Sequence, residues 1–98
     1  MGTNLLARII DRIRGRRSPA EYYAWLLQYG RIVEGRIIDM DKDESGVTIY
    51  YCYNISNVQY ESSHLLTPQQ VSQDASYLPG KTVTVRVDPR HPGRSVVQ

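Results

Sequence analysis

Lys81-Thr82-Val83-Thr84-Val85-Arg86-Val87-Asp88 sets three valines two residues apart, with Thr82, Thr84 and Arg86 between them. Successive side chains of a strand point to opposite sides, so this alternation predicts a strand with Val83, Val85 and Val87 on a core and the polar set in water. Pro79-Gly80 breaks the chain before it. Asp88-Pro89-Arg90-His91-Pro92-Gly93 follows as a rigid turn, because proline fixes φ, lacks a donor and restricts its predecessor. Ser95, Val96 and Val97 then form a last short strand.

Moving toward the N-terminus, Leu65 and Leu66 lead into Thr67-Pro68-Gln69-Gln70, a capping-box pattern that predicts a short helix over residues 68–75. Before it, Val47, Ile49, Tyr51, Tyr53 and Ile55 alternate with Thr48, Tyr50, Cys52 and Asn54, the pattern of a half-buried strand. Ser56-Asn57 is a two-residue break in which Asn57 tolerates positive φ, so a hairpin leads into Val58-Gln59-Tyr60-Glu61. Upstream, residues 31–40 put Ile32 and Ile38 on one face and Val33 and Ile37 on the other. Gly35 lies in the middle, as expected where a strand bends or another backbone passes close. Asp41-Lys42-Asp43-Glu44-Ser45-Gly46 reads as a polar turn joining these two strands.

Residues 1–30 differ in kind. Leu5, Leu6, Ile9, Ile10 and Ile13 recur at helical spacing within Asn4–Arg14, with Arg8, Asp11, Arg12 and Arg14 on the other side and Gly15 as a stop. Ser18-Pro19-Ala20-Glu21 then carries the signals of a helix start: a cap, a proline at the first position and an acidic capping-box partner. Tyr22, Tyr23, Trp25, Leu26, Leu27 and Tyr29 make that second helix apolar nearly all round, and Gly30 closes it. An extended conformation for Tyr22–Tyr29 stays open on these residues alone. Five arginines against Asp11 and Glu21 give this leader +3, while residues 31–98, with seven basic and eight acidic side chains, carry −1.

The expected architecture is mainly β with N-terminal helices (α+β). Residues 1–30 form a helical extension, and residues 31–98 form a small five-stranded barrel, OB-like or SH3-like, with its short helix between strands three and four. Ninety-eight residues leave room for one core. Phe is absent, and eight tyrosines stand in its place. A single cysteine excludes an internal disulfide framework, and no run of apolar residues is long enough for a membrane span. Nothing reads as a signal peptide, so the expected location is the cytoplasm, with peripheral membrane contact through the leader as a second possibility.

Val33-Glu34-Gly35-Arg36-Ile37-Ile38, Tyr51-Cys52-Tyr53, Val58-Gln59-Tyr60, Pro79-Gly80-Lys81-Thr82-Val83-Thr84-Val85 and Asp88-Pro89-Arg90-His91-Pro92 together resemble a bacterial module, domain of unknown function 3592. The resemblance covers roughly residues 31–98 and implies a small β-rich domain with no catalytic residues to carry over. Its members are commonly tethered to membrane helices. Here Asn57 stands where the family often has Gly, and an arginine-studded helix replaces the usual hydrophobic spans.

Chemistry-bearing residues are sparse. His64, His91 and Cys52 lack metal-ligand spacing, so no metal or other cofactor is expected. Cys52 in a strand reads as a small apolar residue. Ser62, Ser63 and His64 are adjacent, but neighbouring strand residues face opposite sides, and no nucleophile elbow surrounds them. Asp39, Asp41, Asp43 and Glu44 lack the calcium-loop pattern and read as a solvated turn. Asp88 is expected to accept backbone hydrogen bonds across its turn. No catalytic constellation is legible, and the chain is expected to be a non-enzymatic interaction or assembly module that binds a protein partner or itself.

The candidate partner- or membrane-binding residues are Leu5, Leu6, Ile9, Ile10 and Ile13 with Arg8, Arg12, Arg16 and Arg17. Tyr50, Tyr51, Tyr53 and Tyr60 are a candidate stacking platform for single-stranded nucleic acid on an OB-like face. The −1 body weighs against nucleic acid, since little would attract phosphate, and a small-molecule substrate is not expected either.

Overall fold

The computed structural model describes residues 19–98. Helix α1 spans Pro19–Tyr29, and strands β1 (Arg31–Asp43), β2 (Gly46–Ile55) and β3 (Val58–Leu65) follow it. Helix α2 (Pro68–Val71) and a 3₁₀ turn (Asp74–Tyr77) lead to β4 (Thr82–Asp88) and β5 (His91–Val97). The strands form one antiparallel sheet in the order β3-β2-β1-β4-β5, and β3 and β5 approach each other so that the sheet is a nearly closed barrel.

The long first strand makes this closure possible. Its residues 31–36 pair with β4 and its residues 35–43 with β2, so it belongs to both halves. At the changeover a Cβ on Gly35 would stand 2.6 Å from Val85 Cγ2 and 3.1 Å from the Cys52 carbonyl oxygen, closer than an alanine tolerates. The close approach expected at Gly35 is therefore present. The β1–β2 register slips between Ile37 and Asp39, leaving Ile38 as an exposed extra residue, and such a bulge increases strand twist and bending.

Alternation then fills the interior. Ile37, Ile49, Tyr51, Tyr53, Val85, Val87 and Val97 are almost fully buried, and Val47, Ile55, Leu66 and Tyr77 complete the cluster. A fully buried side chain of this size contributes about 1.5–3 kcal/mol of transfer free energy. Tyrosine in place of phenylalanine demands a partner for each hydroxyl. The Tyr51 hydroxyl lies 2.7 Å from Ser95 Oγ, and the Tyr53 hydroxyl donates to the Pro92 carbonyl at 2.5 Å, so both tether β2 to β5.

Helix α1 packs on β4 and β5. It buries Leu26 completely, and Val96, which alternates to the outside of β5, is buried as well. The helix ends where the Gly30 amide bonds to the Leu26 carbonyl at 2.8 Å. A Cβ there would fall 2.5 Å from that carbonyl oxygen and 3.1 Å from Arg86 Cβ, so glycine lets the chain turn tightly into β1. The helical reading of Tyr22–Tyr29 holds and the extended one does not.

Several boundaries differ from those the sequence suggests. The first strand continues through Asp43, so the turn is only Glu44-Ser45, with Asp43 Oδ1 accepting from the Ser45 amide at 2.8 Å. The third strand runs on to Leu65, because polar Ser62 and His64 face inward. The expected helix over residues 68–75 divides into α2 and the 3₁₀ turn. The rigid turn shrinks to Pro89-Arg90, since Pro92 is tolerated in β5, an outermost strand of the sheet order. Ser56 and Asn57 have φ of 51° and 68°, so the β2–β3 hairpin takes the two-residue turn with both φ positive that suits strand twist.

Candidate functional site

Three regions gather polar or exposed side chains. The first is the seam between β3 and β5. Thr67 and Gln70 form the expected capping box: Thr67 Oγ1 accepts from the Gln70 amide at 3.1 Å, and Gln70 Oε1 accepts from the Thr67 amide at 2.9 Å. The same Oε1 lies 2.9 Å from His64 Nε2 on β3, while Gln70 Nε2 donates to the Val97 carbonyl on β5 at 3.1 Å. Tyr23 of α1 stacks on the His64 ring with centroids 5.7 Å apart. Burial pushes the His64 pKa down, and the bond to Gln70 opposes that shift only in part. A shallow groove of about 340 Å³ beside the seam is lined by Tyr23, Leu27, Gln69, Gln70 and Gln73.

The second region ties α1 to the β4–β5 turn. The Tyr22 hydroxyl donates to Asp88 Oδ2, and Asp88 Oδ1 accepts from the Arg90 amide at 2.9 Å, so the expected backbone bond across the turn is present. Burial, reinforced by the neighbouring Asp88 carboxylate, raises the Tyr22 pKa far above that of an ordinary phenol, and the hydroxyl stays a donor. At the other end of the helix Arg86 Nη1 donates to the Gly30 carbonyl at 2.9 Å.

The third region is the outer face of β1, β2 and β3. Register places Asp39 beside Tyr50 and Tyr50 beside Ser63 in one row, and Asp41, Thr48 and Leu65 in the next. Arg36, Cys52 and Glu61 form the row on the other side. Ile38, Tyr50 and Leu65 are 48%, 37% and 53% exposed, high for apolar side chains on one face of a small domain. Asp39, Asp41 and Glu61 against Arg36 make the face acidic.

The tyrosines of the candidate platform do not share this surface. Tyr51 and Tyr53 lie inside the barrel, stacked with centroids 5.9 Å apart, and half-buried Tyr60 stacks on Tyr53 at 5.6 Å. Tyr50, next in sequence to Tyr51, points the opposite way. Ser63 and His64 likewise face opposite sides. Among the described residues no group of three or more His, Cys, Asp or Glu is placed to hold a metal ion. Leu5, Leu6, Ile9, Ile10, Ile13, Arg8, Arg12, Arg16 and Arg17 lie outside the described residues.

Sequence reasoning missed the roles of Gln70 and Tyr22 and the pairing of Ile38 and Leu65 with Tyr50. The capping box marked Gln70 for a local bond only, and nothing local signals its reach to Val97. Among the described residues no helix is long and apolar enough to cross a membrane.

Taken together, these features define a mainly β domain: five antiparallel strands in a nearly closed barrel-like sheet, with a short helix between the third and fourth strands. The chain belongs to the family described as Domain of unknown function (DUF3592), whose model matches residues 7–98 and so takes in α1 as well as the barrel. No curated protein and no solved structure matches it.

Proposed function

We propose that the chain is a non-catalytic interaction module that assembles with protein through the outer face of β1, β2 and β3. The observation that carries this reading is the contrast between the two outer walls of the barrel. The wall made by β4 and β5 has helix α1 across it, with Leu26 and Val96 buried. The wall centred on β2 keeps Ile38, Tyr50 and Leu65 exposed among acidic side chains. Apolar residues in a polar rim are the usual composition of a protein-docking patch.

The barrel itself we take to be OB-like rather than SH3-like. Support comes from the first strand pairing with both the second and the fourth, and from the helix between the third and fourth. The nucleic-acid reading gains nothing from the fold, because two of its four rings are interior.

Light scattering after size exclusion tests the assembly reading. The full chain should exceed its monomer mass in a concentration-dependent way, and the paired substitution Tyr50→Asp with Leu65→Asp should return it to monomer. A wild-type chain that stays strictly monomeric up to millimolar concentration overturns self-assembly through this wall.

A further inference from the structure

The long first strand outruns one of its two neighbours. β1 pairs with β4 only as far as Arg36, and the Ile37 amide and carbonyl add bonds to Lys81 and Gly80 at 2.9 and 2.8 Å. From Asp39 to Asp43 its ladder is with β2 alone. We propose that this free half-edge of β1 receives, as an added strand, an extended segment of a different protein that carries arginine or lysine at every second residue. The proposal goes beyond the assembly reading, because it concerns a backbone edge rather than the Tyr50 and Leu65 face, and either can fail alone.

Register fixes which backbone groups the edge offers. The Val47 carbonyl accepts from the Leu66 amide at 2.8 Å, so Val47 turns its backbone away from β1. Backbone direction alternates along a strand, and Thr48 and Tyr50 therefore turn theirs toward β1, where they meet Asp41 and Asp39. Met40 and Lys42 consequently present N–H and C=O on the side away from β2, and among the described residues no strand pairs with them there. The Met40 amide is instead held by its neighbour's side chain, Asp39 Oδ1, at 2.8 Å. An incoming strand would replace that local bond with a backbone carbonyl and free the Asp39 carboxylate for a cation. Such unpaired groups are a template for strand addition.

Charge then selects the occupant. Asp39, Asp41 and Asp43 are exposed and share one face of β1, about 7 Å apart in sequence along the strand. Two copies meeting edge to edge about a two-fold axis would set these carboxylates against one another, and like charges directly opposite destabilise a strand pair. A strand with cations at alternate positions gains at the same places. Arginine suits them best, since its planar fork donates to both oxygens of a carboxylate. Lys42 alternates to the other face, where such a strand carries its uncharged residues.

The test uses the full chain and a short fluorescein-labelled peptide that alternates arginine with threonine. Two control peptides keep its composition: one groups all the arginines at one end, and the other is N-methylated at each threonine, which removes the donors that would face β1. Fluorescence anisotropy should show the alternating peptide binding at least about tenfold more tightly than either control, and Asp39→Asn with Asp41→Asn should weaken it by about tenfold. In hydrogen exchange read by NMR, the Lys42 amide should exchange freely in the chain alone and become protected when the alternating peptide is added.

Three results overturn the proposal. Equal binding of the alternating and grouped peptides reduces the contact to unspecific charge attraction. No binding of the alternating peptide up to millimolar concentration leaves the carboxylates as a guard against self-pairing only. Protection of the Lys42 amide in the chain alone, unchanged by the peptide, means that the edge is already covered. None of the three bears on whether the Tyr50 and Leu65 face docks protein.

Discussion

The Gln70 side-chain amide donates to the Val97 carbonyl at 3.1 Å, so a residue of the shortest helix holds the edge of the last strand. The other half of that amide accepts from Thr67 and meets His64, which joins helix, third strand and fifth strand in one group. Side chains thus link β3 and β5 where the sheet order leaves two edges.

Replacing Gln70 should open the seam. Gln70→Ala removes three bonds, those to Val97 and His64 and the capping-box bond from the Thr67 amide, at roughly 1 kcal/mol for each not recovered by water, so up to about 3 kcal/mol in all. Gln70→Glu keeps the acceptor but turns the donor into an oxygen facing a carbonyl, and it should be at least as destabilising. Urea unfolding measures the loss, and hydrogen exchange should show faster exchange in β5 than in β2.

Acid should weaken the fold through His64. Burial favours its neutral form, so its folded pKa lies below the ordinary value of about 6.5. Between those two values the unfolded chain binds more protons than the folded one, and stability therefore rises with pH. Stability is complete above about pH 6.5 and falls progressively as pH drops below it. The check is the urea midpoint from pH 8 to pH 5 for wild type and His64→Gln: the wild-type curve should fall more steeply.

Gly35 separates the halves of the barrel, and Gly35→Ala should cost about 2–3 kcal/mol. The added methyl meets buried Val85 at 2.6 Å, and overpacking of a filled interior typically costs 1–3 kcal/mol. Val85→Ala alone is also destabilising, because it leaves a cavity. The double variant should be more stable than the sum of the two, since each change makes room for the other, and a double-mutant cycle reads that coupling.

Helix docking has its own reporter. Tyr22→Phe removes a donor from buried Asp88, and a hydrogen bond to a charged group is worth about 1.5–3 kcal/mol. Trp25, the sole tryptophan, is half-buried on the same helix. Its emission in Tyr22→Phe should shift to the red at a urea concentration below that of global unfolding.

Much of the fold was legible because it depends on periods of two. Val83, Val85 and Val87 face inward as their alternation requires, and the second strand buries Val47, Ile49, Tyr51, Tyr53 and Ile55 as read. The capping box at Thr67 and the turn at Asn57 were legible for a similar reason, since their chemistry is confined to a few neighbouring residues. The third strand beyond Glu61 was not, because Ser62 and His64 look exposed until Tyr51 and Gln70 stand beside them. The bulge at Ile38 depends on register with another strand, which no local pattern encodes. The outer wall is half legible: the tyrosine-rich strand marks Tyr50, but neighbouring Tyr51, which looks alike in sequence, falls on the opposite side by alternation.

Hydroxyl-radical footprinting across a concentration series tests most directly whether the β2 wall is the docking surface. Tyr50 and Leu65 report on that wall, and Tyr29, 61% exposed at the end of helix α1, serves as the internal control. Labelling of Tyr50 and Leu65 should fall as concentration rises while that of Tyr29 holds steady. Equal labelling of all three at every concentration contradicts the assignment.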